Sequence, residues 1–177
     1  MPAALAADTR RVFNSPVGPL LARADDAGLR SLEFLNEARD VPHEPSALLD
    51  ELESELAEYF RTGVARFSIP LAPAGTPFQQ QVWSALREIP CGETRSYTDI
   101  ARTIGRPDAV RAVAGANGDN PIAILIPCHR VIGADGTLTG YGGGLWRKEL
   151  LLNLEGARLF PRPHPKSEIP NPKSAPR

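Results

Sequence analysis

Ile122-Ala123-Ile124-Leu125-Ile126-Pro127-Cys128-His129-Arg130 sets a cysteine and a histidine side by side at the end of an apolar run. The run follows Asn120-Pro121, a turn signal, and reads as a buried strand that delivers Cys128. Thiolate, not thiol, is the nucleophilic form of cysteine, and a neighbouring base generates it near neutral pH. Successive residues of an extended strand point to opposite faces, so Cys128 and His129 need a turn at Pro127 or a bridging water to act together. A carboxylate orienting the imidazole would complete a nucleophile–base–orienter chain, and Asp135 and Glu155 are the candidates nearby in sequence. The plain alternative is an inert Cys128 beside a satisfied histidine, since free cysteine is often buried.

Composition narrows the classes. The chain has 177 residues, 42% hydrophobic and 23% charged, which describes a globular protein of one ordinary or two small domains. No apolar stretch approaches the ~18 residues of a membrane span, and the first residues lack a secretory pattern. Cys91 and Cys128 make neither a disulfide framework nor a zinc spacing, so a reducing, cytoplasmic setting is expected with no metal. The net charge of −1 is uneven: residues 1–75 carry −5, residues 76–160 carry +1 and residues 161–177 carry +3. The second half can therefore approach phosphates without strong repulsion.

The pattern divides the chain near residue 75, where three prolines and a Gly75-Thr76 pair crowd residues 67–77. Residues 1–75 read as an α/β domain, a small sheet plus a helix. Strands are expected around Arg11–Phe13, Leu20–Ala22 and Leu29–Leu35. The helix runs from Ser46 to Thr62 with Leu48, Leu49, Leu52, Leu56, Tyr59 and Phe60 on one face, Ser46 as cap and Gly63 as stop. This half shows no chemical constellation. Residues 76–160 read as a mostly α domain. Thr76-Pro77-Phe78-Gln79 opens a helix with a capping box and proline at its first position. Ser96-Tyr97-Thr98-Asp99 is a second capping box, opening a short helix through Ile104, and another helix covers Asp108 to Asn117. The pair fits a helix-turn-helix, though the pattern alone favours two simply packed helices. Val131-Ile132 and Leu138 flank a hairpin loop at Gly133–Gly136, Tyr141–Gly144 is a flexible loop without phosphate-binding spacing, and a last helix spans Leu145 to Glu155. Residues 161–177, with six prolines, are expected to be a disordered tail.

Pro127-Cys128-His129-Arg130 resembles the active-site motif of the O6-alkylguanine-DNA alkyltransferases, the methylated-DNA–protein-cysteine methyltransferases. Ser96-Tyr97, Arg111-Ala112-Val113, Asn120-Pro121, Val131-Ile132, Gly140-Tyr141, Gly143-Gly144, Lys148-Glu149 and Glu155-Gly156 fall in the family's order and spacing, so the resemblance covers residues 76–160 strongly. It implies a ribonuclease H-like N-terminal domain and a winged-helix-like C-terminal domain. It implies single-turnover repair of O6-alkylguanine, and possible action on O4-alkylthymine, in double-stranded DNA by a monomer without cofactor. Cys128 would take the alkyl group, His129 would accept the thiol proton through water, and Glu155 would hold His129. Tyr97 would donate to N3 of the base, Lys148 would support Tyr97, and Asn120 would pin the turn before the active-site strand. Arg130 would make a structural contact. Pro127, Val131, Tyr141 and Gly142 would form the base pocket. Arg111 would fill the gap left by the extruded nucleotide, with Tyr97, Ala112 and Asn117 as further DNA contacts in the minor groove. The zinc site of some relatives is not expected here, because residues 1–75 contain no cysteine and one histidine.

Three rivals make different demands. A lesion sensor would bind alkylated DNA and gain no mass. A cysteine hydrolase would turn over acyl substrates and leave Arg111 without a role. A helix-turn-helix regulator would survive loss of the Cys128 sulfur.

Overall fold

The computed structural model describes residues 8–157; the expected disorder of residues 161–177 lies outside them. Three antiparallel strands, β1 (Thr9–Phe13), β2 (Leu20–Asp25) and β3 (Gly28–Phe34), form a meander in the order β1-β2-β3. The β1–β2 register pairs Val12 with Leu21, and a bulge between Arg23 and Ala24 shifts β2 against β3. Helix α1 (Ala47–Thr62) packs its Leu49, Leu52, Leu56 and Tyr59 stripe into the core. Ser46 Oγ accepts from the Leu49 amide at its start, and Gly63 ends it at φ 72°. Gly63 also lets another chain segment approach, since a methyl group there would stand 2.1 Å from the Leu154 carbonyl oxygen. Only glycine both adopts the left-handed turn and admits that approach.

The remaining elements are mainly helical. Helix α2 (Pro77–Arg87) begins in a complete capping box between Thr76 and Gln79. Strand β4 (Arg95–Ser96) leads into α3 (Tyr97–Thr103), whose box joins Ser96 and Asp99, and α4 (Val110–Gly118) packs on both α2 and α3. A 3-10 turn (Cys128–Arg130) runs into β5 (Val131–Ile132), and α5 (Leu145–Leu154) closes the fold. The architecture is a small N-terminal sheet unit followed by a helical unit.

Two expectations are corrected. The apolar run 122–126 is not a strand. It makes a bridge at Ile122 and then turns on itself: Leu125 N donates to Ala123 O at 2.8 Å around Ile124, whose φ is 72°. Full burial explains the apolar composition as well as a strand would. Val131-Ile132 does not form a hairpin with Leu138 either. It pairs in parallel with Arg95-Ser96, so its partner lies far upstream, while Gly133 N and Thr137 O close only the local loop at 2.9 Å.

The two halves share one core, and the β3 edge joins them. Leu32 N donates to Pro121 O and Leu32 O accepts from Ala123 N, both at 2.9 Å, so the segment before Cys128 hangs on the sheet. Arg147 on α5 adds a clamp. Its buried guanidinium donates to Val17 O at 2.7 Å, Gly143 O at 2.8 Å and Leu35 O at 3.0 Å, and lies 5.0 Å from the Phe34 ring centroid. Arg147→Met keeps the stem and strands three carbonyls. We expect it to lower unfolding stability by about 2–4 kcal/mol in urea denaturation. A change within about 0.5 kcal/mol would mean that water replaces the guanidinium at no cost.

Candidate active site

Pro127 (φ −81°, ψ 63°) forms an inverse γ-turn, with Cys128 N donating to Ile126 O at 2.8 Å. That turn reverses the chain into the 3-10 turn that carries Cys128, His129 and Arg130, all buried. Asn120 braces the loop at both ends: Nδ2 donates to Ile126 O at 2.8 Å, and Oδ1 accepts from Ile122 N at 3.0 Å. Cys128 is 7% exposed and opens to a cleft lined by Leu32 and Phe34 of the sheet, Asn117, Ala123, Tyr141 and Gly142.

Of the two carboxylates near His129 in sequence, the fold brings Glu155 to it. His129 Nε2 lies 2.8 Å from Glu155 Oε1, whereas Asp135 bonds the amide and hydroxyl of Thr137. Arg130 grips the same carboxylate, Nε on Oε2 at 2.8 Å and Nη2 on Oε1 at 2.9 Å, and donates Nη1 to Ile89 O at 2.7 Å. Burial would raise the Glu155 pKa, but the bonds from His129 and Arg130 outweigh it and bring it down to about 2. An ionised carboxylate only accepts, so Nε2 carries the imidazole proton and Nδ1 is left a bare acceptor. That Nδ1 is buried and has no protein partner. Burial lowers the His129 pKa, with Glu155 opposing, so the imidazole is neutral at working pH. Burial raises the Cys128 thiol, while Asn120 and Lys148 pull it back. The thiol therefore needs a base to lose its proton.

Lys148 is completely buried at the start of α5 and donates to Val131 O and, at 3.0 Å, to Thr139 O. Burial brings its pKa down to about 8. Tyr97, half-buried, donates to the same Thr139 carbonyl at 3.3 Å, so Lys148 and Tyr97 share an acceptor. Tyr97, Asn117, Tyr141 and Gly142 line a second cleft that adjoins the first. Two buried atoms at the clefts have no partner within hydrogen-bond geometry, Asn117 Oδ1 and the Tyr141 hydroxyl, the latter facing the Cys128 sulfur. Such atoms cost about 1–3 kcal/mol each unless a ligand meets them.

Not every expected residue converges here. Pro127 and Val131 lie outside the lining of both clefts. Pro127 faces a third cleft behind the loop, with Ile124 and Arg130. Val131 is fully buried, its amide spent on Cys128 O and its carbonyl on Lys148. Arg111 and Ala112 are exposed on α4 and line neither cleft, and no hydrogen bond or ion pair holds Arg111 among the described residues. The N-terminal half is not chemically silent. Tyr59 donates its hydroxyl to Glu155 Oε1 at 2.8 Å. Phe34 stands against Tyr141, their centroids 5.8 Å apart, and fills the space a side chain at Gly143 would need.

Comparison with known proteins agrees with this geometry. Residues 77–157 match the 6-O-methylguanine DNA methyltransferase DNA-binding domain, and residues 9–73 match the ribonuclease-like domain of the same proteins. The methylated-DNA–protein-cysteine methyltransferase of Methanosarcina acetivorans is 50% identical over 151 residues, covering 82% of this chain and 97% of that protein. The Mycobacterium tuberculosis protein of the same name is 48% identical over 153 residues, covering 84% and 92%. A crystal structure of Mycobacterium tuberculosis O6-methylguanine methyltransferase superposes with a TM-score of 0.76 at 46% identity, covering 85% and 93% of the two chains. One of Mycobacterium tuberculosis OGT in complex with DNA gives 0.75 at 48% identity, covering 83% and 92%. The fold and the matches thus define a methylated-DNA–protein-cysteine methyltransferase, an enzyme that moves a methyl group from DNA to a protein cysteine. The chain belongs to the 6-O-methylguanine DNA methyltransferase family.

The ionised Glu155 carries a pH signature. Its folded pKa of about 2 lies below the ordinary 4.5, so its contribution is complete above pH 4.5 and is lost as pH falls through about 2. We expect Glu155→Gln to be less stable than the parent by about 3 kcal/mol at neutral pH. The gap should close between pH 4.5 and 2 in a chemical-denaturation series. A pH-independent gap would place the stabilisation in packing rather than charge.

Proposed function

We propose that this chain restores guanine in DNA by direct reversal, Cys128 taking the alkyl group from O6 of an alkylguanine. The observation that carries the reading is the buried Cys128–His129–Glu155 arrangement opening on a cleft with unpaired polar atoms. His129 Nδ1 accepts the thiol proton through a water, and the thiolate attacks the alkyl carbon in line with the C–O6 bond. The C–O6 bond breaks as the S–C bond forms. Its electron pair leaves with guanine, which recovers a proton. Tyr97 donates a hydrogen bond to N3 while that charge develops. The thioether has no leaving group that His129 can expel, so each molecule acts once.

Asn117, Tyr141 and Gly142 hold the base beside Cys128, and Asn120 keeps the loop in register. Pro127 and Val131 act from beneath, shaping the loop. A structural reading of residues 1–75 as ribonuclease H-like and of α3–α4 as a helix-turn-helix in a winged-helix-like unit fits the same scheme, with the boundary near residue 75. On it α4 enters the minor groove. Its exposed Ala112, Ala114 and Gly115 present little bulk to the duplex, and Arg111 fills the space left by the extruded nucleotide. Near-neutral charge over residues 76–160 favours few phosphate contacts and moderate salt dependence. A non-catalytic sensor would use the same clefts and gain no alkyl group.

Intact mass and peptide mapping decide between these. After incubation with a duplex carrying one O6-methylguanine, we expect one methyl on the Cys128 peptide and guanine in the DNA. Cys128→Ser should bind the duplex and gain nothing. Arg111→Ala should lose at least about 10-fold in rate on duplex, because base extrusion costs a few kcal/mol, while its reaction with free O6-methylguanine stays near parental. Tight binding with unchanged parental mass would make the protein a sensor. Equal losses for Arg111→Ala on both substrates would remove it from base extrusion.

A further inference from the structure

Tyr59 lies on the apolar stripe of α1 and is 1% exposed, a place where phenylalanine would pack equally well. Its hydroxyl instead reaches Glu155 Oε1, 96 residues away, at 2.8 Å. The same oxygen accepts from His129 Nε2 at 2.8 Å and Arg130 Nη2 at 2.9 Å. Oε2 accepts from Arg130 Nε. The helix ends make this reach possible, because Gly63 lets the end of α1 sit directly on the end of α5 at Leu154. Burial and the adjacent carboxylate hold the phenol proton far above its usual range, so Tyr59 donates at every pH at which the protein is folded.

We propose that Tyr59 is a positioning residue for alkyl transfer: by donating to Glu155 Oε1 it draws carboxylate charge away from His129 and so sets the basicity of the imidazole that deprotonates Cys128. The inference rests on the general-base role given above. Every charged or titratable neighbour of the pair enters the balance. Arg130 from the 3-10 turn and Lys148 from α5 disfavour the imidazolium, and Glu155 alone favours it. Tyr59 from α1 and Arg130 face Glu155, Cys91 faces Tyr59 and Arg130, and Tyr141 from the loop before α5 faces Tyr59. A neutral donor on the single favouring group is thus a direct control on the base. A carboxylate oxygen relieved of one donor concentrates its charge on His129, stabilises the imidazolium and raises the pH at which the base is lost.

The test is Tyr59→Phe in the full chain, which keeps the ring contacts to Phe60 at 5.2 Å and Phe67 at 5.6 Å. Two quantities are read: the single-turnover rate of methyl transfer from an O6-methylguanine duplex against pH, and the His129 titration by NMR without DNA. Both midpoints should move to higher pH by about half a unit to one unit. Below the parental midpoint the variant is then slower by about 3- to 10-fold, and the plateau at higher pH is retained within a few-fold. Should Tyr59→Phe not fold, site-specific 3,5-difluorotyrosine at position 59 keeps ring and hydroxyl. It donates more strongly and must move both midpoints to lower pH. Coincident His129 titrations overturn the proposal whatever the rates do, as does a uniform loss of rate with no pH shift; Tyr59 would then only pack. Failure of the proposed function is distinguishable, because the parental protein would gain no methyl while the NMR titration, which needs no substrate, still reads the link.

Discussion

The Glu155 carboxylate is the interaction on which the rest of the site depends. It is fully buried and receives four hydrogen bonds, from Tyr59, His129 and twice from Arg130. An unpaired buried carboxylate would cost several kcal/mol, so the fold must keep all of these donors in place or neutralise the group. Each donor belongs to a different constraint. Tyr59 ties the N-terminal helix, His129 the 3-10 turn, and Arg130 continues to the Ile89 carbonyl beyond the end of α2. Three segments distant in sequence are thereby registered against one side chain. Geometry near the thiol follows from satisfying this charge.

The loop from Asn120 to Val131 lacks a regular hydrogen-bond ladder, and its shape comes from outside. The β3 edge holds residues 121–123, Asn120 spans the loop, and Lys148 fixes the Val131 and Thr139 carbonyls. Within it Ile124 is buried at φ 72°, a conformation that costs a β-branched residue on the order of 1–3 kcal/mol. The surrounding contacts outweigh that cost. What they secure is a sharp double turn that carries the cysteine and the following histidine, in place of an extended strand that would set them on opposite faces.

What could be read from the sequence was local. Ser46, Thr76 with Gln79, Ser96 with Asp99, and Gly63 mark helix ends because caps act within three residues. The three strands of the meander follow from short-range alternation and turns. Apolar character alone could not distinguish a strand from buried turns at 122–126, since both bury every residue. The partner of Val131-Ile132 is some 35 residues upstream, beyond any pattern within a window. Tyr59 and Arg147 were invisible for the same reason: their value lies in partners 96 to 130 residues away. The one available hint was chemical, a tyrosine and an arginine on faces that bury, where each polar tip must find a partner. Cys128 and Glu155 could be placed by family resemblance, but choosing Glu155 over Asp135 on the residues alone required the fold.

On the proposed mechanism, helix α5 accounts for how a buried thiol and a buried imidazole exchange a proton. Lys148 and Glu155 are seven residues apart, two turns along one face, so a single rigid element carries a positive charge towards Cys128 and a negative charge towards His129. Burial favours the neutral thiol and neutral imidazole. Lys148 opposes that on the thiol, and Glu155 opposes it on the imidazole. The two charges thus favour the ionised forms of different partners, Lys148 the thiolate and Glu155 the imidazolium, while Lys148 also bears against the imidazolium. Burial keeps the resting thiol protonated, so on the proposed mechanism the ionised state is reached only with the help of His129. Because the two charges share one helix, the bias survives small motions of the loop: what shifts α5 shifts both together. The N-terminal half contributes by holding that helix, through Arg147 at its start and Tyr59 and Gly63 at its end.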